Sequence, residues 1–110
     1  MIKYDIVLVN LDPTIGHEVK KTRPCVVLSP DEMNNVLKTV IVAPITSTQR
    51  AIPTRVLIKS TQESGLSNDS YAMLDQIKTI DKKRVIKELG AVSEDERQAL
   101  TNCLQDLFAL

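Results

Sequence analysis

The stretch TRPCVVLSP, residues 22–30, decides how the chain is read. Pro24-Cys25-Val26-Val27-Leu28 is an apolar, β-branched run that predicts a strand, with its proline at the first position, where a missing N–H is tolerated. Ser29-Pro30-Asp31-Glu32 predicts a short helical turn, Ser29 capping it and Pro30 at its first position. Arg23 precedes a proline, which pushes its backbone out of the helical region and into extended geometry. A guanidinium is thereby held at the mouth of a strand, where its planar fork suits bidentate phosphate recognition better than a lysine would. A surface arginine paired to a carboxylate is the plainer alternative, and such pairs contribute little.

Short strands extend outward on both sides. Upstream, Asp5–Asn10 is apolar on both faces and predicts a central strand. Asp12-Pro13-Thr14 and Gly16 predict a turn between it and Arg23. Downstream, Thr39–Ala43 is a third strand ended by Pro44, Thr46–Arg50 a polar loop, and Thr54–Ile58 a fourth strand. Gly65, Ser67, Asn68 and Asp69 mark a turn before Ser70–Leu74, a fifth strand. Gln76–Ile80 either continues it or bends into a sixth. The period then changes. Ser93 and Glu96 form a capping box, and Leu100, Cys103, Leu104, Leu107 and Phe108 recur on one face of an amphipathic helix. Close-spaced strands followed by one late helix predict a mainly β domain, a small bent antiparallel sheet or barrel with a helix packed on it.

The 110 residues predict one domain, 1–110, and 43% hydrophobic content is enough for a single core. Lys+Arg and Asp+Glu are 14 each, so any nucleic-acid site is a local patch rather than a basic field. The apolar runs are too short to span a membrane, and Met1–Asp5 leads into no secretory segment. Cys25 and Cys103 lie far apart without metal-ligand spacing and read as buried free thiols of a reducing cytoplasm. No His/Cys cluster predicts a metal, and no phosphate-loop, dinucleotide or zinc-protease motif predicts a cofactor. Two tyrosines, one phenylalanine and no tryptophan are too few for an aromatic platform that stacks RNA bases.

Polar residues outside Arg23 gather in the loops. Thr46 and Ser47 follow Pro44 at a strand end, where hydroxyls either satisfy the turn or donate to a phosphate oxygen. His17 is the chain's only histidine and is able to act as acid or base near neutral pH. Asp75-Gln76 interrupts the fifth strand, as a site residue or a barrel-rim exit would. Lys82-Lys83-Arg84 reads as a solvated basic face.

Taken in order, DIVLV, LDPTIGHE, TRPCVVLSP, VAPITS and LDQIKTIDKKRV resemble the MazF/PemK family of toxin–antitoxin ribonucleases over essentially the whole chain. The resemblance implies an SH3-like β-barrel of the CcdB/PemK type with a C-terminal helix. It implies a cytoplasmic homodimeric toxin that cuts single-stranded mRNA without a metal or cofactor and is held by an antitoxin with a flexible tail. Arg23 of the RP motif and Thr46 of the P-x-T motif are the implied catalytic residues. His17, Glu18, Lys21, Ser47, Asp75 and Gln76 are the implied RNA-binding residues. The PemK branch carries an arginine two residues before the matching aspartate; here that position is Met73, which leaves the Arg23–Thr46 pair. The implied chemistry is attack of the 2′-hydroxyl on phosphorus, giving 2′,3′-cyclic phosphate and 5′-hydroxyl ends. Arg23, with a pKa above about 12, is a poor base, and His17, Glu18 and Asp75 all remain open as proton carriers. Two rivals share the fold: a gyrase-poison-like toxin, which acts through a tryptophan-bearing tail that this chain lacks, and a module that binds RNA or antitoxin without cutting.

Overall fold

The computed structural model describes residues 1–11 and 21–109. The strands are β1 (Asp5–Asn10), β2 (Thr22–Val27), β3 (Thr39–Thr46), β4 (Arg55–Ile58), β5 (Ser70–Met73), β6 (Lys78–Asp81) and β7 (Val85–Ala91). Two α-helices, α1 (Asp31–Val36) and α2 (Glu94–Phe108), complete the fold with 3₁₀ turns at Leu74–Gln76 and Lys82–Arg84. The seven strands form one antiparallel sheet in the order β4-β5-β3-β2-β1-β7, with β6 also on β3. No helix among the described residues is long and apolar enough to cross a membrane.

The centre of this sheet is buried on both faces, as the two-sided apolar pattern of Asp5–Asn10 predicts. Ile6, Val26, Ala43 and Ile45 alternate onto one side and pack with Leu100 of α2. Val7, Val9, Cys25, Val27, Val40 and Val42 alternate onto the other and pack with Ile80. A strand turns a new side chain to each face every second residue, so two cores share one set of backbones.

β3 organises the rest. One edge pairs with β2, Cys25 opposite Pro44 and Val27 opposite Val42. The other carries β6 along Thr39–Val42 and β5 along Ile45–Thr46. The 3₁₀ turn Leu74–Gln76 lies between β5 and β6, so the predicted interruption at Asp75-Gln76 is a bulge in a run that otherwise follows β3 throughout.

The barrel is open, because β4 and β7 end the sheet without pairing to each other. Its seam is closed by loop backbone instead. Ala91 N–H, at the end of β7, donates at 2.8 Å to the Glu63 carbonyl in the loop that follows β4. The approach needs two glycines. Gly65 has φ +69°, and a Cβ there would clash with the Leu89 carbonyl; a Cβ on Gly90 would clash with the Glu63 carbonyl and stand 2.7 Å from the Ser64 carbonyl carbon.

At α2 the capping box forms as predicted: Glu96 N–H donates to Ser93 Oγ at 3.2 Å and Ser93 N–H to Glu96 Oε1 at 2.9 Å. The other oxygen of Glu96 accepts from Lys59 N–H at 2.8 Å, tying the helix start to the end of β4. At the far end of β4, Cys103 Sγ meets the Pro53 carbonyl at 3.4 Å. Fifteen helical residues span about 22 Å, against about 13 Å for the four of β4. The helix therefore overruns its support, and Leu107 and Phe108, predicted on the buried stripe, are exposed.

Two further expectations are corrected. Ser29 does not cap α1; Pro30 takes the cap position with no side-chain bond. Ser29 is buried and accepts from Ile41 N–H at 3.0 Å while donating to Asn34 at 2.5 Å, so its hydroxyl fastens α1 to β3. β7 matches no predicted strand, since VIKELGA mixes charge, glycine and apolar residues without alternation. It is an edge strand with two register shifts against β1.

The seam makes a stability prediction. Gly90→Ala is expected to cost about 1–3 kcal/mol, read as a lower urea midpoint with an unchanged slope. An unchanged midpoint would mean that the seam yields freely and does not depend on close backbone approach.

Candidate functional site

The extended geometry imposed by Pro24 puts Arg23 in β2 itself, opposite Val9 of β1. Its side chain is half-buried, and one terminal nitrogen makes a long 3.5 Å contact with the Ile45 carbonyl at the end of β3. Its Nε is buried and has no hydrogen-bond partner among the described residues. An unmet buried donor on a charged group costs on the order of 1–3 kcal/mol.

Arg23 opens onto a cleft of about 270 Å³ lined by Pro24, Ile45, Ser47, Leu66, Ser67, Asn68 and Ser70. Two loops build it, one following β3 and one preceding β5. Gln49 staples them: its Nε2 donates to the Ser47 carbonyl at 3.2 Å and to that of Asp69 at 2.8 Å. Asp69 fixes the second loop by accepting from Ser60 N–H at 2.7 Å. That backbone bond, against a small opposing desolvation and with help from Lys59, holds the Asp69 carboxyl below its ordinary range. Hydroxyls, a carboxamide and one cation thus meet in a concave site whose walls are partly apolar.

Thr46 is the last residue of β3, between Ile45 and Ser47, and is itself half-buried beside that lining. Its Oγ1 accepts from Thr48 N–H at 3.2 Å, which leaves the hydroxyl proton able to donate outward. Ser47 lines the cleft directly. Lys21 is exposed where the chain returns toward β2, in left-handed geometry with φ 65°. Its carbonyl accepts from Leu11 N–H at 3.1 Å. His17 and Glu18, with the turn expected at Asp12–Gly16, lie outside the described residues.

Asp75 and Gln76 are not in the cleft lining. Asp75 accepts from Arg55 twice, Nε to Oδ1 and a terminal nitrogen to Oδ2, both at 3.3 Å, and Thr54 Oγ1 donates to it at 3.3 Å. Burial pushes the Asp75 carboxyl up, but the Arg55 fork, its own backbone N–H, the Arg55 charge and Thr54 together bring it below the usual carboxylate range. Arg55, which no motif singles out, locks the 3₁₀ bulge to β4, helped by Leu74 N–H donating to the Thr54 carbonyl at 3.0 Å. Neither cysteine is poised to react. Burial drives the Cys25 thiol up to about 12 despite Arg23 and Lys78 nearby, and burial with Asp106 and Asp75 raises Cys103.

The Asp75–Arg55 lock has a pH signature. Asp75 titrates lower in the folded chain than in the unfolded one, so its stabilisation is complete above the unfolded value of about 3.9 and fades as pH falls through the folded value. The carboxylate is partly solvated, so the expected loss for Asp75→Asn near pH 7 is at most about 1 kcal/mol. Denaturation midpoints of the two proteins should converge below roughly pH 4. A gap that persists unchanged at pH 2 would assign the effect to packing rather than to charge.

The family model for the PemK-like, MazF-like toxin of type II toxin–antitoxin systems matches residues 2–108. The Mycobacterium tuberculosis toxin MazF-mt6 is similar at 27% identity and TM-score 0.81, over 96% of this chain and 97% of that one. MazF from Deinococcus radiodurans is similar at 25% identity and TM-score 0.84, over 100% and 97%. A mycobacterial endoribonuclease in complex with its cognate antitoxin shares the fold at 20% identity and TM-score 0.82, over 100% and 96%.

Proposed function

The chain belongs to the PemK-like, MazF-like toxin family of type II toxin–antitoxin systems, and we propose that it is an endoribonuclease that cuts single-stranded mRNA at the Arg23 cleft. The observation that carries this reading is the buried Nε of Arg23, unpartnered among the described residues, beside a hydroxyl-lined cleft. RNA brings its own nucleophile, so the protein need only align it and stabilise the charge that builds on phosphorus.

In the reaction the 2′-oxygen bonds to phosphorus as the bond to the 5′-oxygen breaks, leaving a 2′,3′-cyclic phosphate and a 5′-hydroxyl. Arg23 donates to the phosphoryl oxygens through Nε and a terminal nitrogen, and the Thr46 hydroxyl donates a further bond. One group takes the proton of the 2′-hydroxyl and another supplies one to the leaving 5′-oxygen. Asp75 is committed to Arg55 and does not line the cleft, which favours His17 and Glu18 for this work. They precede Arg23 in the connection from β1 to β2, and Lys21 and Ser47 would hold flanking phosphates. The chemistry calls on no metal or cofactor. A cytoplasmic toxin of this kind acts as a homodimer and is silenced by a cognate antitoxin whose flexible tail orders across the same cleft.

A gyrase-poison mode acting through a tryptophan is disfavoured, since the chain contains none. A module that binds RNA without cutting would use the same Arg23 contact, and a cleavage assay separates the two.

The direct test is a long single-stranded RNA incubated in EDTA with wild type and Arg23→Ala, with fragment ends mapped. Discrete cuts leaving 5′-hydroxyls are expected from wild type. Arg23→Ala is expected to be about 10²- to 10⁴-fold slower, roughly 3–5 kcal/mol of transition-state stabilisation. Near-wild-type cutting by Arg23→Ala would remove Arg23 from the chemistry, and intact RNA with both proteins would favour the non-cutting readings.

A further inference from the structure

The Arg23 cleft holds more than a phosphate site requires. Beyond Arg23 and Ser47 its wall is made by Leu66, Ser67, Asn68 and Ser70. About 270 Å³ falls just below the ~300 Å³ at which small-molecule pockets begin. That suits one flat group entering from the chain beside the bound phosphate.

Asn68 is the residue in this wall equipped to choose among such groups. Its backbone is fixed: the Asn68 carbonyl accepts from Ser70 Oγ at 2.8 Å. The next residue, Asp69, is bonded to Ser60 N–H and stapled by Gln49. Its side-chain carboxamide is exposed and makes no hydrogen bond among the described residues. A carboxamide offers one donor beside one acceptor, the pattern that recognises a base edge bidentately, with adenine's N6 amino group and N7 as its best-matched pair. Single-stranded RNA exposes such edges because its bases are not already paired. Apolar Pro24, Ile45 and Leu66 supply the remaining wall against which a base face can lie.

We infer that Asn68 is a specificity-determining residue, its carboxamide reading the edge of one RNA base seated in the cleft next to the phosphate held by Arg23. The inference rests on the ribonuclease reading above and adds to it the residue that sets base preference at one position. Ser67 offers only a hydroxyl, which rotates to suit either role, and the Ser70 hydroxyl is taken by the Asn68 carbonyl.

The test maps every cut made in a long single-stranded RNA by wild type, Asn68→Ala and Asn68→Asp, each checked for an unchanged thermal midpoint. Wild type should show a preference of about 10-fold or more for one base at one position beside the cut. Asn68→Ala should flatten that position alone to within roughly 3-fold, leaving preferences at other positions intact. Asn68→Asp replaces the donor with a second acceptor and should move the preference toward guanine, whose N1–H and N2 amino group are both donors. The same preference in all three proteins would overturn the inference while leaving the ribonuclease in place. Complete loss of cutting in both folded variants would also overturn it, making Asn68 a general binding residue. A wild type that cuts no RNA would remove the ribonuclease reading and this inference together.

Discussion

The hydrogen-bond register of β3 is the constraint on which the molecule depends. Val42 is paired on both edges, with Val27 of β2 and with Lys78 of β6. A slip by one residue would turn Ala43 and Ile45 out of one core and Val40 and Val42 out of the other at once. The same strand delivers the working end of the protein. Its Ile45 carbonyl meets Arg23, its last residue is Thr46, and Ser47 begins the loop that Gln49 staples to Asp69. Two cores that specify one register therefore also specify where a guanidinium and two hydroxyls stand.

This coupling explains how a neutral chain can present an anion site. With 14 cations against 14 anions there is no long-range field to draw in a polyanion. Attraction has to come at contact, from a donor that the fold has already desolvated. Pro24 holds the Arg23 backbone extended, the sheet buries its Nε, and nearby hydroxyls complete a concave surface. Among the described residues no carboxylate lines the cleft; Asp75 is engaged with Arg55, and Asp69 with Ser60 and Lys59. The plainer alternative for Arg23, a surface pair with a carboxylate, is not what the described residues form.

Much of this could be read from the chain. The central strands announced themselves through β-branched runs, α2 through its capping box, and the loop position of the cleft through Arg23-Pro24 and Pro44-Ile45-Thr46. What escaped has physical reasons. β7 takes its shape from neighbours, its mixed sequence giving no alternation, and its closest approach depends on Gly90 meeting a turn far off in sequence. Ser29 has the local signature of a cap, but a buried partner in β3 outcompetes the helix end for its hydroxyl. Asp75 interrupts an apolar strand, as a site residue or a barrel-rim exit would; only the fold reveals Arg55 opposite, 20 positions away. Asn68 sat in an ordinary turn sequence, and its place on the cleft wall depends on loop closure that no local pattern encodes.

The central claim is that the buried Nε–H of Arg23 waits for a phosphate oxygen. The most direct measurement follows the ¹⁵Nε–¹Hε resonance of Arg23, assigned by its absence in Arg23→Lys, while a single-stranded RNA is titrated in. The RNA carries 2′-deoxy sugars at the mapped cut sites, which removes the nucleophile and permits binding without cleavage. The account predicts a large downfield proton shift for this one resonance and protection from exchange, as the orphaned donor gains an anionic acceptor. A resonance that stays in place while the RNA binds elsewhere on the protein would contradict it.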